Sequence, residues 1–266
     1  MNHSVIFFRF VTFILWLLSW PLASYSSPLA HWQNPRYIEQ SFYEIALKNE
    51  FRQGETRIRK WHKPLAVYID HQVGDAALHQ QLLTMHLKHL GNITKLPINY
   101  VNKQSLANIK VFFTRASDVN RIISSEISPR SVSKLRGSVC MANIRINKNY
   151  EIERAIVIIP VDTARMHGKL IACVVEELTQ ILGLPNDSKT IYPTIFSDRN
   201  RYKLLTGLDY LFLKLLYSAQ IKSGMSKAEI KADIQALLKN WQQDGSIIKA
   251  QSQVVKGDLY KLLGYH

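Results

Sequence analysis

Two adjacent glutamates, Glu176 and Glu177, have side chains that can take part in catalysis or binding, and Gln180 follows four residues after Glu176. On a helix, residues four apart lie one turn above each other, so Glu176 and Gln180 share a face. A carboxylate acts as a general acid or base when burial raises its pKa, and carboxylate and amide oxygens suit hard cations. The group therefore predicts either proton transfer or an oxygen-lined binding site.

This layout resembles the helix of zinc peptidases, H-E-x-x-H-x-x-G-x-x-[H/D]. There, two histidines one turn apart bind zinc, a glutamate activates water, and a glycine turn delivers a third ligand. On that pattern Glu176 and Gln180 occupy the histidine positions, and Glu177 occupies the position of the catalytic glutamate. The resemblance implies Glu177 as the candidate general base.

The polar turn after the helix extends the resemblance. Gly183 matches the motif glycine, Pro185 forbids further helix, and Asn186 or Asp187 stands where the third ligand would come. Both histidines are absent, however, and zinc sites use Cys, His or carboxylate rather than glutamine. The resemblance therefore implies a zincin-like scaffold without its zinc, and we expect no metal or other cofactor. The candidate binding residues are Glu176, Gln180, Asn186 and Asp187.

A second resemblance covers roughly residues 138 to 230. Its motifs are Glu176-Glu177-Leu178-Thr179-Gln180, Gly183-Leu184, Asn186-Asp187-Ser188, Ile195-Phe196-Ser197-Asp198, Leu205-Thr206, Leu208-Asp209, Leu215-Leu216-Tyr217 and Gly224-Met225. In this order they are similar to a family of exported bacterial proteins, domain-of-unknown-function family 2927. The resemblance implies no activity, but it implies that Glu-Glu-x-x-Gln is the family's own pattern.

Simpler interpretations compete with a site. Adjacent glutamates on a polar helix face are usually solvated, and the polar residues at 186–188 can simply cap the next turn. Three histidines of another predicted helix, His79, His86 and His89, lie on nearby parts of one face. The first two are two turns apart, too far for one metal, so we expect a solvated stripe. His167 is expected to be exposed, and Ser197 with Asp198 lacks the histidine spacing of serine hydrolases.

The elements that position these residues follow from apolar periodicity. They predict an α+β fold, a single zincin-like domain over residues 28–266 with a small mixed sheet, a long motif-bearing helix and C-terminal helices. Predicted helices cover residues 35–51, 76–90, 166–182, 204–218 and 226–241, and predicted strands cover 65–69, 109–114, 138–146 and 154–160. Residues 28–34 are expected to form a flexible leader.

The first 27 residues have the order of a cleavable signal peptide. Arg9 precedes an apolar run, Pro21 breaks that run, and small residues follow. The alternative is an uncleaved membrane anchor, because the run is long enough to span a bilayer. We expect cleavage, and a mature protein that is periplasmic or secreted and not integral to the membrane.

The net charge and the two cysteines further limit the functions that the protein can have. The formal net charge of +14 favours anionic partners, but the basic residues are scattered and match no nucleic-acid-binding motif, so no nucleic acid is expected. The only cysteines, Cys140 and Cys173, are expected to form a disulfide after export, the alternative being two buried thiols. Two functions remain: a domain that binds a peptide or cell-envelope component, or a peptidase-like hydrolase that uses Glu177 with an atypical metal or substrate site.

Overall fold

The fold is α+β, as predicted from the sequence, and is built around one mixed sheet. The computed structural model describes residues 30–48, 56–132, 139–197 and 202–265. The predicted signal segment, residues 1–27, and Asp198 lie outside these ranges. Among the described residues, no helix combines the length and apolarity needed to cross a membrane.

Five strands form the sheet in the order β2-β1-β3-β5-β4. β4 pairs antiparallel with β5, whereas the other neighbours pair parallel. β5 is buried along most of its length and lies between β3 and β4, which explains its run of β-branched residues. The strands are β1 (Leu65–His71), β2 (Ile98–Tyr100), β3 (Ile109–Thr114), β4 (Met141–Ile146) and β5 (Ile152–Pro160).

Helices cover both faces of this sheet. The described α-helices are α1 (Pro35–Leu47), α2 (Ala76–Thr94), α3 (Val119–Ile122), α4 (Val161–Met166), α5 (Leu170–Gln180), α6 (Gly207–Leu216), α7 (Lys227–Gln243), α8 (Ser246–Val254) and α9 (Asp258–Leu262). Alternation along the strands divides the core: Val111 and Val157 join the large cluster that includes residues of α1, α2 and α5–α9, whereas Phe112 and Ile156 pack with Ile122 on the opposite face.

Three expectations about these elements are wrong. The helix predicted over residues 166–182 starts too early and ends two residues late, because Met166 ends α4, the chain turns at Gly168 with φ +63°, and α5 covers Leu170–Gln180. α2 does not stop at Gly91 but continues to Thr94. Residues 30–34 are not a loose leader, since Trp32 packs on the core and Asn34 accepts a hydrogen bond from Arg36 N at the start of α1.

Candidate functional site

The motif helix α5 is buried on most of its circumference. It packs against β4, β5, α2 and α4. Its apolar residues Val174, Val175 and Leu178 are fully enclosed, and Thr179 is enclosed with them. Glu176 and Gln180 are only half-buried, as are Leu170 and Ile171 at the start of the helix, so the two polar residues form a narrow polar strip.

Glu177 lies inside the protein rather than in solvent. Its exposed fraction is 6%, whereas Glu176 beside it is half-buried. The expectation that both glutamates are solvated is therefore wrong for Glu177. Helical periodicity placed it on the polar face with Glu176 and Gln180, but Glu177 is buried in the folded protein.

Gln180 and Asp187 are brought together across the turn. The Gln180 side chain donates from Nε2 to Asp187 Oδ1 over 2.8 Å. The chain after α5 thus folds back on the helix face that carries Glu176 and Gln180. Two of the candidate binding residues are in direct contact, and both remain partly accessible.

Asn186 has a structural role instead. Its exposed fraction is 7%, its backbone N donates to Ile45 O over 3.3 Å, and its side chain donates to Asp187 O over 2.9 Å. The next residue, Ser188, donates from Oγ to Glu44 of α1. These contacts fix the turn onto α1. Of the two residues proposed for the third ligand position, only Asp187 faces Gln180.

The sharp turn itself depends on Gly183. This residue has φ +114°, and a Cβ there would lie 2.0 Å from Arg59 O, so only glycine fits. Side chains satisfy carbonyls at the end of α5: Trp61 Nε1 donates to Ile181 O and Tyr217 Oη to Leu182 O, each over 2.8 Å. The turn that delivers Asp187 is therefore rigidly held.

A disulfide joins the site to the sheet. Cys140, directly before β4, is bonded to Cys173 in α5. This confirms the predicted pairing. Cys173 lies one turn before the two glutamates, so the bridge fixes the start of β4 beside the polar strip.

The histidines of α2 do not form the predicted solvated stripe. His79 is fully buried and stacks on Phe113 with 4.4 Å between ring centroids. His86 is also buried, and its Nε2 lies 3.1 Å from Thr179 Oγ1. His89 is half-buried and packs against Gly257. Each ring has a different environment, whereas His167 is exposed, as predicted.

Among the residues that the structure describes, no group of three or more His, Cys, Asp or Glu side chains is arranged to hold a metal ion. The strip with Glu176, Gln180 and Asp187 contains an amide in place of one such ligand. Its chemistry is therefore that of hydrogen-bond donors and acceptors.

Asp209 is a buried acid whose role the sequence did not reveal. It accepts hydrogen bonds from Thr206 N over 2.7 Å and from Ile195 N over 3.2 Å, and Thr194 Oγ1 also donates to it. Burial raises the pKa of its carboxyl to about 6. Asp209 thus ties the segment after the site turn to the start of α6. Its place in the motif Leu208-Asp209 was the only signal in the sequence.

Comparison of the chain with curated proteins, solved structures and protein families finds a family that matches it. Neither a curated protein nor a solved structure matches the chain. The family described as "Protein of unknown function (DUF2927)" matches residues 35–236, which include the motif helix, the site turn and Asp209. Because this range covers most of the sequence, the chain belongs to the DUF2927 family.

Proposed function

We propose that this protein is an exported binding protein that takes an extended peptide along the outer edge of β4, beside Glu176 and Gln180. The observation that carries the proposal is the position of β4. Within the described ranges it is an antiparallel strand with one partner, and the disulfide fixes its start to the helix that carries the polar strip. An extended peptide can add to such an edge through main-chain hydrogen bonds.

The outer edge of β4 presents backbone N–H and C=O groups that can pair with a peptide. In an antiparallel pair, alternate residues direct their N–H and C=O groups away from the partner strand. Natural sheets protect such edges with charges and bulges. β4 has both, but only at its end, where Arg145 is exposed and the register shifts between Arg145 and Ile146. The stretch from Met141 to Ile144 lacks this protection.

The polar strip adds groups that can select a ligand. Gln180 and Asp187 already orient each other, so both side chains are held in position before a ligand binds. Preorganised polar groups reduce the entropy lost on binding. The net charge of +14 favours acidic peptides over basic ones.

Export is part of the proposal. A signal-like segment precedes the described residues, and the cysteine pair is bonded. Disulfides persist in oxidising compartments such as the periplasm. We further propose that the domain has a zincin-like scaffold. In it, Glu176 and Gln180 occupy the positions of the two zinc-binding histidines.

Hydrogen exchange tests the proposed peptide site. The probe is a pool of short random peptides, incubated with the purified protein and monitored by mass spectrometry. We expect slower exchange for the amides of β4 and for the turn at Asp187. The other edge strand, β2, is the internal control and should not change. Slower exchange confined to other surfaces, or no protected region at all, would contradict the proposal.

A pair of proline variants sharpens this test. Asn143 and Ile144 are neighbours in β4, so one amide faces β5 and the other faces outward. Asn143→Pro and Ile144→Pro should therefore differ, with one variant unfolding more easily and the other retaining its melting temperature. The variant that retains stability should lose peptide binding. If it binds as the parent protein does, the edge is not the binding surface.

A hydrolase is the second candidate, favoured by the burial of Glu177 next to the Gln180–Asp187 contact. In that case Glu177 is the general base, and Glu176, Gln180 and Asp187 hold the substrate or an atypical metal. Glu177→Gln should then abolish peptide cleavage with folding intact, whereas in the binding protein it changes affinity modestly. Elemental mass spectrometry after dialysis against zinc, calcium and manganese tests the metal directly. One metal per chain, lost in a Glu176→Ala/Gln180→Ala variant, would favour the hydrolase.

A further inference from the structure

A cavity lies between three C-terminal helices, formed by other elements than the motif site. Its volume is about 210 Å³, and it opens to solvent. Its lining residues are Tyr210, Leu211 and Lys214 of α6, Trp241 of α7, and Ser246, Lys249 and Gln253 of α8. The family match ends at residue 236, so the residues of α8 and Trp241 lie beyond it.

The polar lining of this cavity is rich in hydrogen-bond donors. Lys214, Lys249 and the indole N–H of Trp241 only donate, and none of them has a hydrogen-bond or ion-pair partner among the described residues. The Tyr210 hydroxyl also has no partner there, and burial raises its pKa, so it stays protonated. None of the described residues that line the cavity carries a carboxylate. Such a lining attracts an anion.

Asp244, an acid close enough to interact with Lys249, does not form an ion pair with either lysine. The charge of Lys249 contributes to lowering the pKa of Asp244, but hydrogen bonding from Ser246 is the main cause. Asp244 is exposed at the end of α7 and forms no ion pair with Lys249. The positive charges of Lys214 and Lys249 therefore remain available to a ligand.

The two aromatic residues of the lining indicate which class of anionic ligand the cavity can bind. Trp241 and Tyr210 provide flat apolar surface next to the two ammonium groups. The cavity is smaller than the ~300–1,000 Å³ typical of drug-sized ligands. We propose that it binds a single sugar residue carrying a phosphate or carboxylate, as found in anionic cell-envelope polymers. The sugar ring lies against Trp241, and the anion lies between Lys214 and Lys249.

Isothermal titration calorimetry on the purified protein tests this site with defined probes. Glucose 6-phosphate and glucuronate are the two probes, a sugar ring with a phosphate and a sugar ring with a carboxylate. Glucose, which has the ring but no charge, and inorganic phosphate, which has the charge but no ring, are the controls. We expect one or both charged sugars to bind with a Kd near or below ~1 mM, more weakly at high salt. The tighter of the two identifies the preferred anion. Absence of saturable binding by either charged sugar overturns the proposal.

Substitutions of the lining residues test whether the charged sugar binds in the cavity. Lys214→Ala and Lys249→Ala should each weaken the charged sugar at least ~10-fold, which corresponds to the loss of one charged contact. Trp241→Leu should remove the preference for glucose 6-phosphate over inorganic phosphate. The matched control is Lys239→Ala, because Lys239 is an exposed lysine of α7, the helix that carries Trp241. This variant should bind the charged sugar as the parent protein does. Binding that survives both lysine variants, or equal affinity of the parent for inorganic phosphate and glucose 6-phosphate, overturns the assignment.

Discussion

His86 of α2 and Thr179 of α5 meet inside the core, with 3.1 Å between Nε2 and Oγ1. Thr179 donates its only hydroxyl proton to Val175 O over 2.6 Å, so its oxygen accepts the hydrogen bond from His86. Nε2 therefore carries a proton, and the ring is neutral near pH 7 because burial lowers the pKa of His86 to about 3. This contact joins the two helices directly behind the polar strip.

Acid should destabilise the protein through this histidine. Burial lowers the pKa of His86 from 6.5 to about 3. The unfolded chain binds a proton below pH 6.5 and the folded one does not, so stability is full above pH 6.5 and is lost as the pH falls toward 3. At pH 5 the loss is about 2 kcal/mol. Urea unfolding at pH 7.5 and pH 5 measures it.

His86→Gln provides the control for this pH dependence. Glutamine keeps a donor for Thr179 but does not titrate, so the variant should lose less stability between the two pH values than the parent. His89, whose pKa burial lowers to about 4, contributes in both proteins and cancels in the comparison. Equal losses in parent and variant would show that His86 is not the responsible group.

Reduction of the disulfide should weaken the fold. Cys140 and Cys173 are 33 residues apart in sequence, and the bridge limits the freedom of that loop in the unfolded chain. The chain-entropy model gives about 3–4 kcal/mol for a loop of this size. The urea midpoint should therefore fall when dithiothreitol is added. A Cys140→Ser/Cys173→Ser variant should start at the lower midpoint and not respond, and an unchanged midpoint in the reduced parent would contradict the expectation.

Asp209→Asn should destabilise the protein although it preserves size. The amide can keep its oxygen toward Thr206 N and Ile195 N, but its NH2 group then takes the place of Oδ1, which accepts from the Thr194 hydroxyl. The Thr194 hydroxyl proton loses its acceptor. A buried donor left unsatisfied costs about 1–3 kcal/mol. Chemical denaturation at pH 8, where the Asp209 carboxyl is ionised, measures the difference. Asp233→Asn, on α7 and outside this network, should leave the midpoint unchanged; equal effects of the two substitutions would argue against the network.

Introducing two histidines into α5 tests whether the turn at Asp187 has the geometry of a third zinc ligand. In a Glu176→His/Gln180→His variant, two imidazoles one turn apart face Asp187 as a third ligand. Competition with a zinc indicator should show binding at least ~10-fold tighter than in either single variant. Adding Asp187→Ala should reverse most of this gain. If it changes nothing, Asp187 does not occupy the third ligand position.

Sequence patterns predicted the strands where burial and residue type agree. β3 was predicted over residues 109–114, as observed, because β-branched and aromatic residues fill a short, buried run. β2 was missed because three half-exposed or exposed residues give no period. The start of α5 was placed at Met166 rather than Leu170 because the apolar spacing does not mark the turn at Gly168, which depends on a positive φ.

The candidate site was predicted in part. A glycine turn after α5 suggested that Asp187 returns to the helix, and the hydrogen bond from Gln180 is consistent with that return. The burial of Glu177 and His86 could not be predicted, because it depends on neighbours that come from distant parts of the chain. Periodicity identifies the polar face of a helix, but it does not show whether another element covers that face.

The C-terminal helices have a consequence for any shortened version of this protein. The family match ends at residue 236, inside α7, yet Gln251 of α8 accepts the hydrogen bond from Gly207 N over 2.8 Å, and Tyr260 of α9 donates to Leu205 O. Ile247 and Leu259 are buried in the same core as the start of α6. An expression fragment ended at the family boundary would keep the motif helix but expose apolar surface there, and should aggregate on purification.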